Sequence, residues 1–122
     1  MKVLPQARAT DLIVKELENE ILIYDMSANR AICLNEMSRL IWKYCDGKTR
    51  FEDLMEKYNL TKDIIHLALD EFQNHHLLMG RIETGVPDDK VERRRFIVKT
   101  GAAAAIAIPI VKTIVAPQAA FA

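Results

Sequence analysis

The sequence predicts an α+β fold, a small winged-helix-like domain in which a three-stranded antiparallel sheet is followed by three helices. Three observations predict it. Short runs rich in Ile, Leu, Val and Tyr alternate with polar links of about three residues early in the chain, the spacing of a hairpin meander. The apolar period then becomes helical from Met37 onward. Finally, only a tight turn separates the last two helices, which is the helix-turn-helix arrangement.

The elements follow in order. After a lead containing Pro5, strands are expected within Leu12–Leu17, Ile21–Met26 and Arg30–Leu34. Their period-2 alternation is imperfect, so length and punctuation carry the assignment. Met37, Leu40, Ile41, Tyr44 and Cys45 share one face of a first helix, with Asn35 as its N-cap and Asp46-Gly47 as its stop. Thr49 and Glu52 form the T-x-x-E pattern of a capping box ahead of a second helix through Phe51, Leu54, Met55 and Tyr58. A break at Asn59-Leu60-Thr61 precedes a third helix, Lys62–His76, with Ile65, Ala68, Leu69 and Phe72 as its buried stripe. Leu77, Leu78 and Met79 lead to a stop at Gly80.

A chain of 122 residues, half of them apolar and 28% charged, has room for one small globular domain. Its formal charge of zero conceals a division. Residues 1–91 hold 12 basic and 16 acidic side chains, and residues 92–122 hold 5 basic and 1 acidic. Such asymmetry marks a folded body with a tail of different purpose. The expected layout is a domain at 1–86, a linker at 87–91 and a tail at 92–122.

Several function classes fit poorly. The would-be recognition helix sets Lys62 against Asp63, Asp70 and Glu71, whereas a DNA-docking face needs Lys and Arg. His75 and His76 are adjacent and diverge by about 100° on a helix, and His66 stands nine residues before them, so no metal site is expected. Two cysteines, Cys33 and Cys45, are too few for a disulfide scaffold or a thiolate-only zinc site, and read as buried thiols. With no Gly-rich phosphate loop and no catalytic cluster, the expectation is a non-enzymatic chain without a cofactor. A binding module remains: an extended peptide can add to a free sheet edge while a neighbouring helix supplies side-chain pockets. The candidate walls are the Arg30–Leu34 strand and the flank of the third helix.

The body also resembles a known family. Ile21-Leu22-Ile23-Tyr24, Leu34-Asn35-Glu36, Ile41, Cys45-Asp46-Gly47-Lys48-Thr49, Leu54, Tyr58, Asp63, Phe72 and Leu77-Leu78 follow, in order and spacing, the pattern of the PqqD family. The likeness covers about residues 5–80, and no single piece of it is specific. It departs at His75-His76, where the family often has a Gly before its final leucines. The resemblance implies a non-catalytic winged-helix RiPP recognition element (RiPP: ribosomally made, post-translationally modified peptide). It would bind the leader of a precursor peptide and present it to a modifying enzyme, often a radical-SAM protein, in pyrroloquinoline quinone synthesis or another peptide pathway. By that resemblance the leader pairs with Ala31, Ile32, Cys33 and Leu34 and packs on Asp63, Ile64 and Leu67. Ile32 and Leu34 are equally well explained as plain core. The alternatives are a winged-helix DNA-binding regulator and a membrane-tethered adaptor.

The tail resembles a twin-arginine export signal placed at the wrong end of the chain. Arg93, Arg94, Phe96 and Lys99 approximate its R-R-x-F-L-K motif, with the lysine one place late. Gly101–Val111 has the length of a signal's apolar region, and Ala120-Phe121-Ala122 fits a cleavage site. Four explanations compete. The tail is an anchor, although Lys112 and two prolines interrupt its last 22 residues. It is a peptide read by a partner or folded back onto its own domain's groove. It is a true export signal. Or it is a plain solvated tail. The expected location is the cytoplasm, with membrane association through residues 101–122 as the variant.

Overall fold

A computed structural model of the chain describes residues 2–104 and 108–114. The fold is α+β. Strands β1 (Leu12–Glu16), β2 (Ile21–Asp25) and β3 (Arg30–Leu34) form an antiparallel meander. Helices α1 (Glu36–Lys43), α2 (Phe51–Tyr58), α3 (Lys62–Asn74) and α4 (Lys90–Ala104) follow, and strand β4 (Val111–Ile114) completes a sheet of order β1-β2-β3-β4.

The expected three strands and three helices therefore fall short by one of each. Both additions come from the stretch assigned to linker and tail. On α4, Arg93, Phe96, Ile97 and Thr100 are the more covered positions, spaced i, i+3, i+4 and i+7, and this helix packs on α3. The chain then returns so that Ile108 lies over Gly101, where an added Cβ would stand 2.9 Å from the Ile108 Cδ1. It continues as β4, antiparallel to β3, with Leu34 opposite Val111 and Ala31 opposite Ile114. The proposed cleavage motif at residues 120–122 lies outside the described residues. No described helix is long and apolar enough to cross a membrane.

Local chemistry explains the helix starts. The Asn35 side chain accepts from the Ser38 N–H, and the Thr61 side chain accepts from the Ile64 N–H, each capping its helix. The Thr49–Glu52 capping box does not form. The N-cap of α2 is Arg50, without a side-chain cap bond. Thr49 instead donates its hydroxyl to Asp46, whose other oxygen accepts the Lys48 and Thr49 N–H groups. Asp46 thus closes the α1–α2 turn that Gly47, at φ 76°, makes sterically possible.

One sheet face carries Ile21, Ile23, Ile32 and Leu34 into a core shared with Ile41, Leu54, Ile65, Leu69 and Phe72. All four residues of the stripe expected on α3 are buried. The lead is not passive, for Leu4 is fully buried and Val3, Gln6 and Ala7 bridge to Arg50, Asp46 and Leu78. Arg8 ties this lead to the sheet through both oxygens of Asp25, at 2.9 and 3.0 Å. Asp25 is 1% exposed, and the Arg8 guanidinium holds its carboxyl well below the usual carboxylate range.

Candidate functional site

Strand β3 is an inner strand because the tail lies beside it. Ile32 and Leu34 point into the core, while Ala31 and Cys33 face the other way and are half-buried. The Asn35 N–H donates to the Ile110 carbonyl at 3.1 Å. Antiparallel ladders alternate, so from that bond the N–H groups of Cys33 and Ala31 are also directed at β4, and those of Ile32 and Leu34 at β2. The edge expected to receive a peptide is therefore covered by residues 111–114 of the same chain.

Asn35 and Ser38 hold the entry to β4. The Asn35 amide nitrogen donates to the Ile108 carbonyl at 2.9 Å, and its oxygen accepts from the Ile110 N–H at 3.0 Å. The Ser38 hydroxyl lies 2.8 Å from the Ile110 carbonyl. One asparagine thus caps α1 and clasps a segment more than seventy residues away. Pro109 is buried and Val111, 7% exposed, joins the core opposite Leu34, whereas Ile110 and Ile114 stay exposed. Lys112 lies opposite Cys33, whose thiol donates to Glu20 at 3.0 Å. Glu20, Cys33, Asn35, Ile110 and Lys112 line a small cleft of about 110 Å³.

The energetics of this strand are modest. Burying one valine contributes about 1.5–2 kcal/mol. Ordering each backbone residue costs about 1–2 kcal/mol. The one buried side chain of β4 therefore does not by itself offset the ordering of its four residues, and the strand depends on its backbone pairing with β3 and on the Asn35 and Ser38 bonds.

The expected helix positions divide. Ile64 belongs to the principal core, Leu67 is 1% exposed outside it, and Asp63 faces solvent at the start of α3. Both α4 and β4 pack against α3, so the flank expected to be open is covered. The arginine motif also divides. Arg93 forms ion pairs with Asp70 and Glu71, the latter at 3.1 Å, and Phe96 is half-buried on the same face. Arg94 and Lys99 are exposed.

Sequence reasoning identified β3 but missed Ser38, Glu20 and Lys112 as its surroundings, and assigned Asn35 only to capping. Local signals could not reveal them, because each acts through a segment distant in sequence. Burial pushes the Cys33 thiol up to about 11 and the Cys45 thiol up to about 12, so both are protonated near neutrality. Among the described residues, no group of three or more His, Cys, Asp or Glu side chains is placed to hold a metal ion. Comparisons with protein families, curated proteins and solved structures find no match to the chain.

Proposed function

We propose that this chain is a non-catalytic peptide-binding protein of winged-helix type. It takes the leader of a ribosomal precursor peptide as an added strand on β3 and presents it to a modifying enzyme, with a radical-SAM protein as the expected kind. One observation carries the reading: β3 pairs with an extended segment that no hairpin joins to it. An edge that accepts a remote strand through backbone bonds, with pockets for alternate side chains, has the physical elements of strand addition. The likeness of residues 5–80 to the PqqD family points to the same strand and helix. The protonated thiols support a binding role over a nucleophilic one.

The DNA-binding alternative is weakened by α3. Its residues from Ile64 to Asp70 are buried, which leaves little of it to enter a groove. Cytoplasmic location belongs to this proposal, because precursor peptides are modified where they are made.

The test is an NMR titration of the full chain with the short peptides encoded beside it. Amide shifts focused on Arg30–Asn35 and α3 support the reading. Saturable binding whose shifts avoid β3 refutes it.

A further inference from the structure

We propose that residues 108–114 are an intramolecular stand-in for the peptide, and that they display what the groove selects: an extended segment of the form proline, any residue, aliphatic residue, cation. This inference rests on the peptide-binding reading above and adds to it a ligand class and a built-in competitor.

The register defines the class. Pro109 is buried where the chain enters the groove, and proline brings no N–H that would need a partner there. Its neighbours supply the bonds instead: the Ile108 carbonyl and the Ile110 N–H are both taken by the Asn35 amide, and the Ile110 carbonyl faces the Ser38 hydroxyl. The Ile110 side chain is exposed, so that position accepts any residue. Val111 enters the core beside Leu34, in space that suits an aliphatic residue and rejects a charge. Lys112 stands across from Cys33, in the cleft that Glu20 lines, where a cation gains attraction and an anion meets repulsion. Ile114 is exposed and contributes backbone pairing more than selection.

The same contacts make the tail a competitor. A tethered strand acts at a high local concentration, so a free peptide meets a groove that is vacant only part of the time. If the vacant fraction is one tenth, the apparent dissociation constant is about tenfold weaker than the intrinsic one.

The experiment uses the full chain, unchanged and as two variants, Val111→Asp and Lys112→Glu. Val111→Asp expels β4 by placing a carboxylate in the core. Lys112→Glu changes an exposed side chain, and so weakens β4 without risk to folding. The probe is a fluorescein-labelled peptide with the sequence of residues 107–115, alongside a version with glutamate for its lysine and a same-length Val/Thr peptide lacking proline and lysine. The expected result is that Val111→Asp binds the first probe about tenfold more tightly than the unchanged chain, and Lys112→Glu about threefold. The glutamate version should bind Val111→Asp at least about fivefold more weakly than the first probe. Equal affinity of all three proteins overturns the competitor. If the Val/Thr peptide binds β3 as tightly as the first probe, the ligand class is overturned and the peptide-binding reading survives. If no peptide binds any of the three proteins, the stand-in is overturned, and the leader reading is decided by its own titration.

Discussion

Asn35 and Ile110 form a closed pair: the backbone N–H of Asn35 donates to the Ile110 carbonyl, and the Ile110 N–H returns to the Asn35 side-chain oxygen. That oxygen also caps α1 through the Ser38 N–H. The start of a helix and the entry of the tail strand therefore share one acceptor.

Asn35→Ala should remove cap and clasp together. The cap alone costs about 1 kcal/mol. Asn35→Asp keeps the oxygen that caps α1 and accepts from the Ile110 N–H, but sets a carboxylate oxygen against the Ile108 carbonyl in place of the donor. Urea unfolding should thus rank the alanine variant below the aspartate variant. Hydrogen exchange should show the Ile110 N–H deprotected in the former. Equal exchange in both would mean that the clasp does not hold β4.

Cys33→Pro removes the N–H that ladder alternation directs at β4. The β2 side of the strand is served by Ile32 and Leu34, so the body should persist while β4 detaches. Circular dichroism should retain the helical signal, and the Lys112 N–H should exchange quickly. Loss of all cooperative unfolding would show that β4 is integral to the core.

Arg93 and Arg94 should behave differently despite their adjacency. Arg93→Ala leaves Asp70, itself 7% exposed, without its cation, at a cost of about 2–3 kcal/mol. Arg94 is exposed, and its removal should fall within about 0.5 kcal/mol. Thermal melts of the two variants measure the difference. Equal losses would contradict the packing of α4 on α3.

The Arg8–Asp25 pair sets an acid limit. The folded carboxyl titrates below its usual range because Arg8 donates to it, so this stabilisation is complete above the unfolded value of about 4 and is lost as pH falls below it. Asp25→Asn should flatten the stability curve between roughly pH 4 and pH 2. The same variant should cost about 2 kcal/mol at neutral pH, a figure held down by the partial exposure of Arg8. An unchanged acid limb would place the acid-sensitive group elsewhere.

What was legible in the sequence was local. The strand Arg30–Leu34, the cap at Asn35 and the buried stripe of α3 follow from periodicity and turn chemistry within a few residues of each. Arg93–Lys99 and the alanines beyond it read as an export signal because their composition matches one. Their roles as α4 and as the approach to β4 depend on Asp70, Glu71 and β3, which only folding brings near. Asp25 was likewise placed in a strand, but its half-buried partner Arg8 lies in the lead, 17 positions earlier. The Thr49–Glu52 pattern misled because the helix begins one residue later, with Arg50 as its N-cap, while Asp46 holds the Thr49 N–H and hydroxyl in the preceding turn.

The most direct measurement follows two amides of the labelled full chain by hydrogen exchange, with and without excess unlabelled peptide of residues 107–115. Cys33 and Lys112 are cross-strand partners between β3 and β4. If an incoming peptide replaces β4, the Cys33 N–H keeps its protection, now bonded to the peptide, while the Lys112 N–H loses its own. If the peptide binds and both amides stay protected, β3 is not the peptide's edge and the account is wrong.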